Sequence, residues 1–185
     1  EFLRYARMHQ EHGVNLKPLL NKLSHYTADI LGAKSVQFFV KMELGGKDLL
    51  VGKAKNTKIP QKDIDILDKI VGKSARKSVL FIWPKDKNKS DHKLSRMFKS
   101  HNWNLVVPLK MRDRIIGYIF IGQPRKSHYK MGSIGTLRRT YDSFMLAISS
   151  ATAIYNANEI NNTLEQRIKN ATKDLQRAND HLRKV

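Results

Sequence analysis

Hydrophobic positions along the chain change their period several times, and each change marks an element. Between Asn15 and Gly32 the apolar residues Leu16, Leu19, Leu20, Leu23, Ala28, Ile30 and Leu31 recur at helical spacing, which predicts a helix with one buried face. Asn15 is its expected cap, Pro18 is tolerated in the first turn, and Gly32 is its stop. Upstream, residues 1–13 read as a short linker helix ending at Gly13. "KSVQFFVKMEL" then alternates as a strand, and Gly45–Gly46 turns it into "KDLLVGKAK". Pro60 starts a second amphipathic helix, "PQKDIDILDKIVGKSARK", with Ile64, Leu67, Ile70 and Val71 on one side. "SVLFIW" predicts a third strand, halted by Pro84. "SDHKLSRMFKSHN" predicts a short helix capped by Ser90, with Leu94, Met97 and Phe98 facing inward.

The most apolar stretch is "WNLVVPLKMRDRIIGYIFIG", residues 103–122, two runs joined by the polar turn "KMRDR". Both runs are apolar on both faces, so the predicted hairpin belongs to a sheet covered on its two sides. Pro108 lacks a ladder donor and predicts a bulge or an edge, and Gly117 predicts close backbone approach. From Ser133 onward the pattern is helical to the end. Its first stripe is Ile134, Leu137, Tyr141, Phe144, Ile148 and Ala151. Farther on, Leu164, Ile168, Ala171, Leu175, Ala178, Leu182 and Val185 keep a stricter heptad. It is approached through Ala153, Ala157 and Ile160, and the two successive steps of four at Ile160–Leu164–Ile168 make a stutter, which unwinds a coiled coil locally. Such a seam alone in water would expose a greasy stripe, so a partner helix is expected, with Ile160 as its first member.

Composition narrows the class. The 185 residues fit one domain plus an appendage, and no apolar run approaches the length of a membrane span. The first residue is Glu1 and no signal peptide is visible, so the chain reads as a piece of something longer. There is no cysteine, which removes disulfides, thiolate metal sites and thiol catalysis, and fits a reducing compartment. The net charge of +19 suits phosphate-rich partners or the inner face of an anionic membrane. No nucleic-acid-binding motif accompanies it, so nucleic acid is not the expected partner.

The order of elements, with "LVVPLKMRDRIIGYIFIG" as penultimate hairpin and "AISSATAIYNANEI" closing the last helix, resembles a GAF domain. The resemblance implies an α+β fold: an antiparallel sheet with helices on both sides and a long C-terminal coiled-coil helix. It divides the chain into a linker helix (1–13), a GAF-like sensory domain (14–157) and a signalling helix (158–185). The tail "LEQRIKNATKDLQRANDHLRKV" is similar to the helices that join sensory domains to histidine kinase cores, and diguanylate cyclases use such linkers too. It therefore implies two-component signal transduction, homodimerisation through terminal helices, a kinase output domain in cis, and a cytoplasmic location, in a soluble or a membrane-anchored protein. Two rivals stay open: a basic nucleic-acid-binding module, and a ligand-free dimerising spacer.

Candidate chemistry is sparse. Without cysteine a bilin cannot be attached covalently, so the cofactor is unassigned and a small-molecule ligand stays open. Asn56 and Lys58 do not complete the cyclic-nucleotide-binding constellation of GAF domains, because its Phe and Asp-Glu members are missing. The histidines His9, His12, His25, His92, His101, His128 and His181 are scattered, and none with a partner specifies a metal. His101, near Trp103, could line a pocket or hold haem from one side. "GKS" at Gly72–Ser74 lacks the upstream glycine of a phosphate loop. No catalytic residue emerges. In a GAF-like sheet a ligand pocket would fall to Phe39, Phe81, Trp83, Met97, Phe98, Trp103, Tyr118 and Phe120, although ordinary core is the plainer reading of most of them and Trp83 and Trp103 are the stronger candidates; Lys41, Lys110 or Arg112 would be cations for an anionic ligand, solvation being the plainer reading of all three.

Overall fold

The computed structural model describes residues 15–42, 47–53, 58–72, 81–82 and 92–182. The helix expected at 1–13, the Gly45–Gly46 turn, Trp83 and the Ser90 cap lie outside these residues. Helix α1 (Leu16–Leu31) leads to strands β1 (Val36–Val40) and β2 (Leu49–Lys53), then to helices α2 (Gln61–Gly72) and α3 (His92–His101). Strands β3 (Leu105–Met111) and β4 (Arg114–Ile121) form the hairpin, and α4 (Met131–Leu182) closes the order. The four strands make one antiparallel sheet in the order β2-β1-β4-β3. Among the described residues no helix is long and apolar enough to cross a membrane.

Helix α1 buries Leu16, Leu19, Leu20, Leu23 and Leu31 as expected, while Ala28 and Ile30 are only half-buried and Ser24 and Thr27 take their place inside. Asn15 is extended before the helix, but its side chain makes no capping bond. The C-terminal stop is built as predicted. Gly32 is left-handed (φ 64°), and Ala33 N–H reaches back to Ala28 O at 2.9 Å.

Alternation in the β1 segment predicts one buried and one exposed face. All five of its residues are buried instead, because a helical layer covers each side of the sheet. Val36, Phe38 and Val40 meet Leu105, Val107, Leu109, Ile119 and Ile121 in a core shared with α1 and α4. Phe39 points the other way, with Val106, Tyr118 and Phe120, towards Ile64, Leu67 and Val71 of α2 and Leu94, Met97 and Phe98 of α3. The third strand predicted at "SVLFIW" is, among the described residues, a single bridge between Ile82 and Val106.

The hairpin satisfies both readings of Pro108. β3 is the edge strand of the sheet, and the ladder shifts register beside it, between Leu109 and Lys110, leaving Ile116 as the extra residue of β4. Val106 exchanges hydrogen bonds with Ile82, so the outward groups of β3 lie at even positions, where proline's missing donor costs nothing. Farther along that edge, Tyr141 of α4 donates to Pro108 O (2.8 Å) and accepts from Lys110 N–H (2.9 Å). One hydroxyl thereby closes the strand edge next to the bulge. Gly117 lies where a Cβ would stand 2.0 Å from Phe39 O, which is the close approach its sequence position suggested.

The stripe Ile134, Leu137, Tyr141, Phe144, Ile148 and Ala151 is buried throughout. Phe144 meets Phe38 edge to face at 6.2 Å, a geometry worth about 0.5–1.5 kcal/mol beyond burial. Residues 157–181 of the same helix are exposed along their whole length.

Candidate functional site

Helix α2 offers two carboxylates to the sheet, Asp63 and Asp68, one at either margin of the arc formed by Ile64, Leu67 and Val71. Each carboxylate meets partners from elsewhere in the chain. Asp68 accepts from Lys41 Nζ at 2.8 and 2.6 Å and from the Tyr118 hydroxyl at 2.5 Å. Lys41, just past the end of β1, also stands 5.8 Å from the Tyr118 ring centre. Sequence reading leaves Lys41 to solvent. The structure corrects this, because β1 delivers it opposite a helix whose carboxylate needs a cation.

Asp63 is the counterpart. His101 Nε2 lies 2.7 Å from Asp63 Oδ2, and an ionised carboxylate only accepts, so Nε2 carries the hydrogen. Nε2, one of the ring nitrogens that could hold haem, faces Asp63 in this structure. Asn102 takes a left-handed turn (φ 57°) at the end of α3, which asparagine tolerates, and the turn folds Trp103 back beneath His101. The two rings stack at 4.3 Å, and Trp103 stacks in turn on Phe120 at 4.1 Å. Phe120 neighbours Tyr118 at 5.9 Å. The contacts run Asp63, His101, Trp103, Phe120, Tyr118, Asp68, so they begin and end on α2.

Six of the residues assigned to a ligand pocket thus come together on this face: Phe39, Met97, Phe98, Trp103, Tyr118 and Phe120. Phe81 does not join them. It packs against the opposite core, with the Arg138 guanidinium 5.3 Å from its ring. Trp83 lies outside the described residues. The backbone N–H of Lys110 is held by Tyr141, and Arg112 is exposed in the hairpin turn with φ 53°. Sequence reasoning missed Asp63 and Asp68. Their signal was present: acids placed at both edges of a helix's apolar arc are positioned to pair with whatever the arc covers.

Chemically the face offers a carboxylate with three hydrogen bonds, a half-buried ammonium, and stacked rings. The rings are buried core side chains: Phe39, Met97, Phe98, Trp103, Tyr118 and Phe120 pack on one another and on α2 and α3. Among the described residues no group of three His, Asp or Glu side chains could hold a metal ion.

Burial, and then the hydrogen bond and charge of Asp68, push the Tyr118 phenol far above the usual tyrosine range. Burial raises Tyr129 and Tyr141 as well. A raised folded-state value favours the neutral form, so this stability is complete below about pH 10, where unfolded tyrosine titrates. It drains away above that pH, by up to about 1.4 kcal/mol per pH unit for each tyrosine still protonated in the fold. Urea unfolding at rising alkaline pH should therefore show a shallower loss for Tyr118→Phe than for the parent chain. Identical slopes would mean that Tyr118 titrates normally.

No family model matches this sequence, and no curated protein matches it. Solved structures do. The GAF domain of a cyanobacterial phytochrome, bound to phycoerythrobilin, superposes with a TM-score of 0.59 at 12% identity, covering 83% of this chain and 95% of that one. The GAF domain of an Acinetobacter phosphoenolpyruvate-protein phosphotransferase gives a TM-score of 0.52 at 14% identity, covering 83% and 94%. At such identities the likeness carries the architecture: this chain has a GAF-like α+β fold.

Proposed function

We propose that this chain is a regulatory sensory domain of a cytoplasmic signal-transduction protein, dimeric through α4, which passes a signal to an output domain of the sensor histidine kinase type. The observation that carries the proposal is the continuity of α4. One 52-residue helix is core of the domain at Tyr141, Phe144 and Ile148, and then presents Ile160 (46% exposed), Leu164 (48%), Ile168 (64%) and Leu175 (72%) to solvent, with the stutter at Leu164 and heptad spacing beyond it. Exposed branched apolar side chains in that rhythm are what a second helix covers. Ala171 and Ala178 fill the intervening seam positions, and Leu182 continues them in sequence. The GAF-like fold supports a sensory role. Ligand occupancy at the α2–α3 face would act through β4 and β3 on Tyr141, hence on α4. The stutter at Leu164 would hold two seam registers close in energy, and a ligand that favours one shifts the balance.

The test joins the chain to a histidine kinase core and measures autophosphorylation. Inserting four helical residues after Leu164 rotates the seam and should change output several-fold, whereas inserting seven restores a heptad and should change it little. Equal effects of the two insertions would sink the reading.

A further inference from the structure

One end of the sheet gathers the termini of four elements. Arg125 N–H donates to Gly32 O at 2.7 Å and Lys34 N–H to Gln123 O at 2.8 Å, which sets the turn after α1 against the loop after β4. Asn104, leading into β3, donates its N–H to Ile121 O at 2.8 Å, and the Tyr129 hydroxyl donates to Gly122 O just before α4 begins. Lys34, Arg125, Lys126 and Lys130 are exposed at this end, with Pro124 and Tyr129 buried beneath them. Asp29 shares a 3.3 Å ion pair with Arg125, whereas among the described residues Lys34, Lys126 and Lys130 pair with no acid. Between Asp113 and Asp142 the sequence holds six Arg and Lys residues and no Asp or Glu.

A large apolar side chain stands among these charges. Met131, the first residue of α4, is 83% exposed, more than any other large apolar residue among those described. A Cβ on Gly132 beside it would meet nothing within 4 Å, so the surroundings are open. The opposite end of the sheet differs on both counts. In the hairpin turn Asp113 lies between Arg112 and Arg114, and the Met111 sulfur accepts from the Ser149 hydroxyl at 3.3 Å. Helix α4 also leaves the domain past that turn. Tyr141 meets Pro108 and Ser149 meets Met111 before residues 157–181 run on exposed. A flat surface can therefore meet the loop before α4 without meeting the tail.

From these observations we infer that residues 125–131, together with Lys34, form a docking surface for an anionic phospholipid bilayer. The four basic side chains would lie among the headgroup phosphates, and Met131 would reach the boundary of the acyl chains. Basic residues are drawn to such a surface within a Debye length, and an apolar side chain set among them adds burial that charge alone does not provide. Nucleic acid would engage the same charges but has no use for Met131, a thioether and not a ring on which a base could stack. Docking by this end fixes an orientation. The α4 tail would point away from the bilayer, clear of the headgroups, whichever way the tail itself associates.

Vesicle flotation of the full chain tests the surface. At about 0.1 M salt the chain should float with vesicles of mixed phosphatidylcholine and phosphatidylglycerol, and not with phosphatidylcholine alone. Lys126→Glu/Lys130→Glu should weaken that partition by about ten-fold or more. The same charge reversal on the exposed face of α1, Lys17→Glu/Lys22→Glu, should weaken it only about two-fold, because those sites lie beyond the reach of unscreened charge. Met131→Ser should weaken it about three-fold while leaving the net charge untouched. Circular dichroism confirms that each variant keeps its fold, which the exposure of all five sites favours. Equal losses in the two double variants would show that net charge alone drives binding, and would overturn the docking surface. So would a parent chain that does not float, or an unchanged partition for Met131→Ser. Displacement from the vesicles by a DNA duplex at equal phosphate concentration would assign the charges to nucleic acid and overturn the inference as well.

Discussion

Alanine at position 117 should lower the melting temperature by about 6–12 °C, corresponding to a loss of about 3 kcal/mol for a chain of this size. The reason is geometric. A Cβ there would stand 2.0 Å from Phe39 O and 3.1 Å from Val40 Cα, both backbone atoms of the neighbouring strand. Side chains relax away from a clash by changing rotamer. A paired strand cannot, so relief would have to come from separating β1 and β4 in the middle of the sheet. Gly132→Ala is the matched control, since a Cβ in that position meets nothing within 4 Å and alanine favours the helix. Thermal unfolding followed by circular dichroism reads both. A Gly117→Ala shift no larger than that of the control would show that the strands do not approach as described.

Removal of the Asp68 carboxylate should be the next most damaging change, costing about 2–3 kcal/mol. Asp68→Ala leaves the Lys41 ammonium and the Tyr118 hydroxyl facing each other with no shared acceptor. The figure is set below that of a fully buried ion pair because the Lys41 and Asp68 side chains are 29% and 33% exposed, and water takes up part of the lost interaction. Tyr118→Phe removes one neutral donor and should cost about 1 kcal/mol. The double variant should cost clearly less than the sum, since the hydroxyl has lost its partner already. Strict additivity in chemical denaturation would mean that the two groups do not interact.

Much of this fold could be read from the sequence. The stop at Gly32, the buried arc Ile64–Leu67–Val71, the hairpin with its misfit at Pro108 and the core stripe of α4 each follow from periodicity and local backbone preference, which act over a few residues. What stayed hidden depends on residues far apart in the chain. That β1 is buried on both sides is decided by helices that arrive before and after it. Lys41 looks like any solvated lysine until β1 and α2 are laid together, and Asp63 needs His101, thirty-eight residues away, before it has a role. Phe81 shows the same limit from the other direction. Its neighbour Ile82 belongs to the α2–α3 face, and strand-like alternation alone sends Phe81 through the sheet to the opposite side.

The uninterrupted length of α4 has a mechanical meaning. From Ala151, its last fully buried residue, to Leu182 the helix runs 31 residues, or about 46 Å at 1.5 Å per residue. No proline or glycine in that span offers a hinge. A tilt of about 5° where the helix leaves the sheet would swing its tip by about 4 Å, close to the spacing between neighbouring Cα atoms. About that pivot, a displacement of about 1.3 Å at Tyr141 corresponds to about 4 Å at the far end.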